Sequence, residues 1–333
     1  MLGAEAMRPG LRIAVTFAVW IALFLLPLTV DDWRLTQLAQ FVSYGIFAMS
    51  LAFVWGQSGL LCFGHAIFFG IGGYAMAVLT KGMLPGWPQG TAFGLCAATL
   101  LPGLLALLAG TLMFRGRGLS GAYFAIVTLA AAVIVERSAS HWTFIGGFNG
   151  LLGIPPLRAG TSELVDALPA YYTLLGFAAL VFGLLLWIER SPLGTALRAI
   201  RDNETRTAYF GFDVAVYKTL GFAIAGGIAG FAGGLFVTQF GFVSPALIGV
   251  PLSTEVLIWT ALGGREVLLA AFLGALLVRT VEAALSDLLG YYWLLGLGVL
   301  FILTVVLFPS GLLGRALALP LPQRLRPPRE RTR

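Results

Sequence analysis

Charge is what this sequence has least of. Asp, Glu, Lys and Arg make up 11% of its 333 residues, against about 25% in a typical soluble domain. Hydrophobic residues make up 59% and the mean hydropathy is +0.91. A soluble core is excluded, and a polytopic membrane protein is expected. Lysine is nearly missing, with Lys81 and Lys218 the only ones. Neither follows the Gly-x-x-x-x-Gly-Lys-Ser/Thr spacing, so nucleotide binding through that loop is excluded. Cysteine is scarce too: Cys62 and Cys96 both sit in apolar runs. No disulfide framework or paired-Cys zinc pattern is possible, and no cofactor or metal is expected. The two histidines, His65 and His141, form no His-Glu-x-x-His motif. A Ser/His/Asp set can be drawn only from scattered residues. Ser58 and His65 come nearest, and a packed histidine near a helix start is the better reading of His65. An intramembrane enzyme is therefore a weak alternative.

What is present is a series of apolar runs. They predict an all-α, polytopic integral membrane protein with about ten transmembrane helices, one of them discontinuous or short. The expected spans are about 11–30, 38–55, 60–80, 91–114, 122–135, 171–188, 214–240, 251–262, an apolar run ending near 281, and 291–308. Arg8 and Arg12 precede the first run. It is long and lacks a small-residue cleavage site before Asp31, so it reads as an uncleaved span. Residues 1–314 form one transmembrane domain, and 315–333 a basic cytoplasmic tail. The loop 138–169 is too short for a domain, and its Gly, Asn and Pro turns suit a folded cap.

The region 251–281 is the hardest to parse. One helix through it would carry Gly263, Gly264, Arg265 and Glu266 within lipid. Each buried charge would cost about 2.5–3.5 kcal/mol on insertion scales. Two segments with the charged turn at the surface avoid that cost. The first segment is then short, starting at 251 or as early as about 246. The resulting even parity puts Arg115, Arg117, the loop 190–213, Arg265 and the arginine tail on one side. The positive-inside rule makes that side cytoplasmic, with both termini on it. Arg315, Arg324, Arg326, Arg329, Arg331 and Arg333 in the tail read as contacts to anionic membrane lipid, not to nucleic acid.

Three features inside this frame carry chemistry or packing. Gly226, Gly230 and Gly234 make one smooth helix face, and the third span carries Gly64, Gly70, Gly72 and Gly73; both sets suit close helix packing. Polar residues interrupt the apolar spans at Gln57, Ser58, His65, Tyr74, Thr128, Gln239, Ser253, Thr254 and Glu255. Buried polar groups pair with each other or line a path. Glu255 is either a path residue or a charge favoured by a helix N-terminus. Third, the stretch 190–211 is charged and helix-forming between long apolar runs. Ser191 or Thr195 can cap a short helix in it. Arg198, Arg201 and Arg206 read as exposed charges there, either a plain cytoplasmic surface or a handle for a soluble partner.

Several motifs in register resemble the membrane permeases of bacterial ABC importers for branched-chain amino acids, the high-affinity leucine/isoleucine/valine type. Urea-importer permeases share much of the pattern. The carrying residues are Gly59 through Tyr74, Tyr123 through Thr128, Gly146-Gly147-Phe148-Asn149-Gly150 to Pro155, Gly194 through Arg201, Gly263-Gly264, and Phe308 to Gly314. The likeness runs in order from about residue 36 to 314. It implies a permease, not an enzyme, in the bacterial inner membrane. The implied partners are a second permease subunit forming a heterodimer, two ATP-binding subunits, and a periplasmic substrate-binding protein. The implied substrate is a branched-chain or other hydrophobic amino acid; urea or a short amide is the alternative. A secondary transporter working alone lacks an evident ion-coupling carboxylate pair at mid-membrane.

The resemblance makes 194–211 the ATPase-coupling loop, with Gly194, Leu197, Arg198, Arg201, Asp202, Asn203, Glu204 and Gly211 as its candidate residues. Candidate path residues are Ser58, His65, Tyr74, Thr128, Asn149 and Glu255. One departure stands out. The related permeases have a pattern similar to Gly-Gly-x-Gly-Thr-x-x-Gly-Pro, where this chain has Gly263-Gly264-Arg265-Glu266-Val267 and then Ala270-Ala271.

Overall fold

The computed structural model describes residues 9–115, 118–159, 162–163 and 166–289, with positions 298, 311, 313 and 314. Helices α1 (Pro9–Leu25), α2 (Asp32–Ser58), α3 (Ala66–Thr80), α4 (Thr91–Phe114), α5 (Gly121–His141) and α6 (Ala167–Arg190) come first. Two short helices follow, α7 (Pro192–Asp202) and α8 (Glu204–Tyr209). Then come α9 (Val214–Phe240), α10 (Val250–Gly263) and α11 (Leu268–Leu289). Six of the helical segments are long and apolar enough to cross a membrane, and α3 is a shorter apolar helix. The molecule is an all-α polytopic membrane protein. The expected last span, apart from position 298, and the arginine tail lie outside the described residues, as do Arg8, Arg117 and most of the 308–314 motif.

Cross-contacts sort the helix termini into two ends. At one end, the cap end, the Tyr171 and Tyr172 hydroxyls at the start of α6 donate to the Leu23 and Phe24 carbonyls at the end of α1. Lys81, after α3, donates to Leu152. The segment 138–166 folds here, as its turn residues predict. Its strand β1 (Leu151–Leu152) pairs antiparallel with β4 (Phe242–Val243) just past α9, while β2 (Arg158–Ala159) pairs with β3 (Ser162–Glu163). At the opposite end, the loop end, α7 lies against the end of α2 and reaches the turn between α10 and α11 through Arg201, while α8 lies against α7 and α9. That turn exposes Arg265 and Glu266, as expected for two separate segments. The Leu313 N–H donates to the Gly263 carbonyl over 3.1 Å, which brings the chain back to the loop end after α11.

The core is an inverted repeat. Helices α2 and α9 have 27 residues each, about 40 Å at 1.5 Å per residue. Each ends on a left-handed glycine, Gly59 at φ 72° and Gly241 at φ 70°. Each is followed by a break in the α-helix, which after α9 holds a short strand and a 3-10 turn at Pro245–Leu247, and then a short helix, α3 or α10. The packing repeats as well: α3 lies on α9 as α10 lies on α2, and α4 lies on α9 as α11 lies on α2. Because α2 runs toward the loop end and α9 toward the cap end, the halves are inverted, an architecture recurrent in transporters.

Close approach depends on glycine, as the spacing predicts. A Cβ at Gly230 would run into the Ala98 carbonyl and the Pro102 ring of α4. One at Gly233 would meet the Phe69 carbonyl of α3, and one at Gly72 the Gly230 backbone. Association in lipid lacks a hydrophobic drive, so this backbone contact supplies dispersion in its place.

Three expected spans are corrected, the ninth because α11 runs on to Leu289 instead of ending near 281. The third does not begin at 60: residues 59–65 are non-helical and α3 starts at Ala66. Gly59 terminates α2, and Gly64 packs so tightly on the Thr128 carbonyl that no side chain fits there. The unwound Phe63 N–H finds its partner in the Thr128 hydroxyl at 3.1 Å. The chain thus has a second short helix besides the expected one at α10. The fifth span continues past 135 to His141, because Glu136 lies against Gly249 at the start of α10 and Arg137 faces outward.

Candidate functional site

The loop end is built around α7. Ser191 is the cap: its hydroxyl accepts from the Gly194 N–H at 3.5 Å, and Pro192 sits in the first turn where no N–H is needed. Gly194, Ala196, Leu197 and Ile200 form the buried face. Leu197 fills the space over Gly221 of α9. Asn203 then caps α8, its Oδ1 accepting from the Arg206 N–H at 2.8 Å.

The expectation that the loop charges stand free is corrected. Arg198 donates to the Glu189 carbonyl at 2.9 Å. Arg201 donates to the Gly56 carbonyl in the last turn of α2, and lies 3.9 Å from Glu266. Glu204 pairs at 2.6 Å with Lys218, which is buried beside the Phe114 ring. Helix C-terminal carbonyls lack intrahelical donors, and the dipole there favours a cation; this is where Arg201 binds. The exposed side chains include Asp202, 3.5 Å from Arg201, with Asn203, Thr205 and Arg206, then Tyr209 and Phe210 at 87% and 76% exposure. The two aromatics escaped the sequence reading, which followed charge and not exposure. Gly211, at φ 87° with open space around it, turns the chain into α9.

The candidate path residues do not form one cluster. Ser58 is at the loop end, its hydroxyl spent on the Val54 carbonyl. His65 and Thr128 both lie near the start of α3, Thr128 against Phe63 and Gly64 and His65 against Ser50 and Phe47. The single Ser50 hydroxyl proton goes to the Phe47 carbonyl at 2.7 Å. The 2.9 Å contact between Ser50 Oγ and His65 Nε2 is therefore donated by the ring, and Nδ1 is left without a partner. His65 is fully buried and stacks on Phe47, the packing role expected of it. Tyr74 is buried further toward the cap end, and Asn149 is exposed on the cap.

Glu255 lies in the cap half of α10, facing α11. Arg279 of α11 sits between Glu255 at 3.5 Å and Glu282 at 2.7 Å. Its guanidinium stacks over Tyr44, 4.8 Å from the ring centre, with Phe41 and Trp259 alongside. Its Nε is buried without a partner. Glu255 is thus the partner of an intramembrane cation, and the helix-dipole reading loses its main support. Sequence pattern alone did not single out Arg279 or Glu282. The available signal was an Arg and a Glu three residues apart within a mostly apolar run. Among the described residues, no group of three or more His, Cys, Asp or Glu is placed to hold a metal.

The family model described as "Branched-chain amino acid transport system / permease component" matches residues 34–307. The chain belongs to this family. It is 33% identical over 314 residues to the high-affinity branched-chain amino acid transport system permease protein LivM of Escherichia coli, covering 86% of this chain and 70% of that one. It is 26% identical to the corresponding BraD of Pseudomonas aeruginosa, covering 82% and 92%. It is 23% identical to LivH of E. coli, again covering 82% and 92%. No solved structure matches. For a permease of this family, the two built regions are the α7 junction at the loop end and the Arg279 cluster in the cap half.

Proposed function

We propose that this chain is the permease subunit of an ABC importer that carries branched-chain or related hydrophobic amino acids across the bacterial inner membrane. The observation that carries the reading is the loop end. A capped, rigid helix pair stands outside the membrane helices, tied to the ends of both repeat halves and presenting Tyr209 and Phe210 outward. Such a knob suits a cleft on an ATP-binding subunit, with Gly194, Leu197, Arg198 and Arg201 holding its shape. Asp202, Asn203, Glu204 and Gly211 set its outer rim. In this reading the loop end is cytoplasmic, with both termini on that side. The cap end faces a periplasmic binding protein.

The partner permease is proposed to be a second, different family member. This chain is similar to both LivM and LivH, two permease proteins named for the same kind of system in one organism. Substrate would pass on the side where Thr254 is exposed and Glu255 half-buried on α10. The remaining candidates, Ser58, His65, Tyr74, Thr128 and Asn149, would shape the surrounding walls. Closure of the ATP-binding subunits would move α7 and α8 and change the end of the bundle that is open.

Co-expression with candidate ATP-binding and partner permease subunits tests this. The expected result is a stable complex that takes up radiolabelled leucine in proteoliposomes when loaded binding protein is added. In a background with Cys62 and Cys96 replaced by alanine, a cysteine at Asn203 should label only from the cytoplasm, and one at Asn149 only from outside. Uptake without any ATP-binding subunit, or reversed labelling, would refute the reading.

A further inference from the structure

We propose that Arg201 is a positioning residue that transmits movement of α7 to both halves of the inverted repeat at once. The proposal rests on the permease reading above and adds a route by which the loop reaches the membrane helices. Three elements meet at this one side chain. Its Nη1 donates to the Gly56 carbonyl, within the last turn of α2. The same nitrogen lies 3.9 Å from Glu266 Oε1 in the α10–α11 turn. Its Cγ covers Gly59, where α2 stops and the first half breaks.

The backbones beneath it are in direct contact. A Cβ on Gly56 would strike the Arg265 carbonyl oxygen, so α2 and the turn have no side chain between them. The Arg265 guanidinium lies 5.3 Å from the Trp55 ring centre, which joins the same two elements a second time. Displacing α7 therefore pulls the end of α2 and the start of α11 together. The residues next to the joint are glycines able to absorb the change: Gly59 at φ 72° and Gly264 at φ 135°.

Stability alone does not explain the arrangement. Glu266 is 66% exposed and its distance to Arg201 is long; such pairs contribute little to folding. What the pair adds is direction, since a guanidinium presents several donors in a fixed plane, whereas an ammonium is a point charge. The departure at Gly263 to Glu266 also acquires a role. It lies at the α7 junction, far from the Arg279 cluster, so it bears on coupling and not on substrate choice.

The experiment uses the complete importer in proteoliposomes, with radiolabelled leucine as probe. Bound ATP-binding subunit, ATP hydrolysis and leucine uptake are measured on the same preparations. For Arg201→Met, the ATP-binding subunits are expected to remain bound. Leucine moved per ATP hydrolysed should fall about tenfold, the weight of one charge-assisted hydrogen bond in an equilibrium. Arg201→Lys should restore part of that ratio. Glu266→Gln should lower it about twofold, in keeping with an exposed pair. An unchanged ratio in Arg201→Met would overturn the proposal. So would loss of bound ATP-binding subunit in step with uptake, which would make Arg201 a docking residue. If Arg201→Met does not accumulate, wild-type ratios in both Arg201→Lys and Glu266→Gln overturn it equally. A wild-type permease that binds no ATP-binding subunit refutes the functional reading instead, before any variant is compared.

Discussion

The two long helices of the core end alike and are held differently. Both α2 and α9 stop at a left-handed glycine and hand over to a short helix. At Gly59 the holding group is a side chain, Arg201, reaching from a loop helix outside the bundle. At Gly241 it is backbone: Val243 and Phe242 pair with Leu151 and Leu152, and the Ile154 N–H donates to the Gly241 carbonyl at 3.1 Å. A strand pair is a short, fixed ladder. A single guanidinium reaching in from a helix outside the bundle is, on the proposal above, a joint. The same backbone device thus serves as an anchor at the cap end and as a point of control at the loop end.

The largest expected effect tests the frame that both halves share. Gly233→Leu should abolish the folded permease, because the side chain would occupy the place of the Phe69 backbone. Fluorescence-detected size exclusion in mild detergent should show no monodisperse peak. A normal peak would mean that the halves are not locked by backbone contact, and the comparison would lose its basis.

Next in size is the charge cluster, which lies in the second half alone. Arg279→Met leaves Glu255 and Glu282 without their shared cation. An uncompensated carboxylate within the membrane costs roughly 2.5–3.5 kcal/mol on insertion scales. The expected outcome is a lowered Tm in detergent and reduced leucine uptake. Glu255→Ala should cost less stability, since Glu282 still pairs with Arg279, yet should still impair uptake in an assembled complex. Normal uptake by Glu255→Ala would return the cluster to a purely structural role.

The two breaks can then be set directly against each other. An alanine in left-handed conformation costs roughly 1–2 kcal/mol, and both Gly59→Ala and Gly241→Ala incur it. Gly241 has open space around its Cβ position, whereas at Gly59 the new methyl would come within 3.1 Å of Arg201 Cγ. Thermal melts should therefore rank Gly59→Ala below Gly241→Ala. Uptake per ATP should fall in the first and hold in the second. Equal behaviour would erase the distinction between anchor and joint.

The smallest effect on stability belongs to the exposed knob. Tyr209→Ala and Phe210→Ala remove side chains that touch little else, so each should change stability by less than about 0.5 kcal/mol. Pull-down of the ATP-binding subunit should nonetheless weaken. Unaltered pull-down in the double variant would move the docking surface away from α8.

Much of this protein was legible in the chain itself. Apolar runs of membrane length, the glycine spacing at Gly226, Gly230 and Gly234, and the charged turn at Arg265–Glu266 are local patterns, and each has one cheap solution in lipid. Family motifs in register supplied the transport role. Tertiary structure alone decided the partners of polar groups. Whether Arg201 meets solvent or the Gly56 carbonyl depends on where α2 ends in space, 145 positions away along the chain. The pairing of Glu255 with Arg279 depends likewise on the packing of α10 against α11. The unwound stretch 59–65 was hidden for the same reason. Its composition is apolar enough for a helix, but its Phe63 N–H is satisfied by the Thr128 hydroxyl and its Gly64 packs directly on the Thr128 backbone. Periodicity reports what a segment would do alone, and in lipid a backbone leaves the helix only where a neighbour offers the hydrogen bond it gives up.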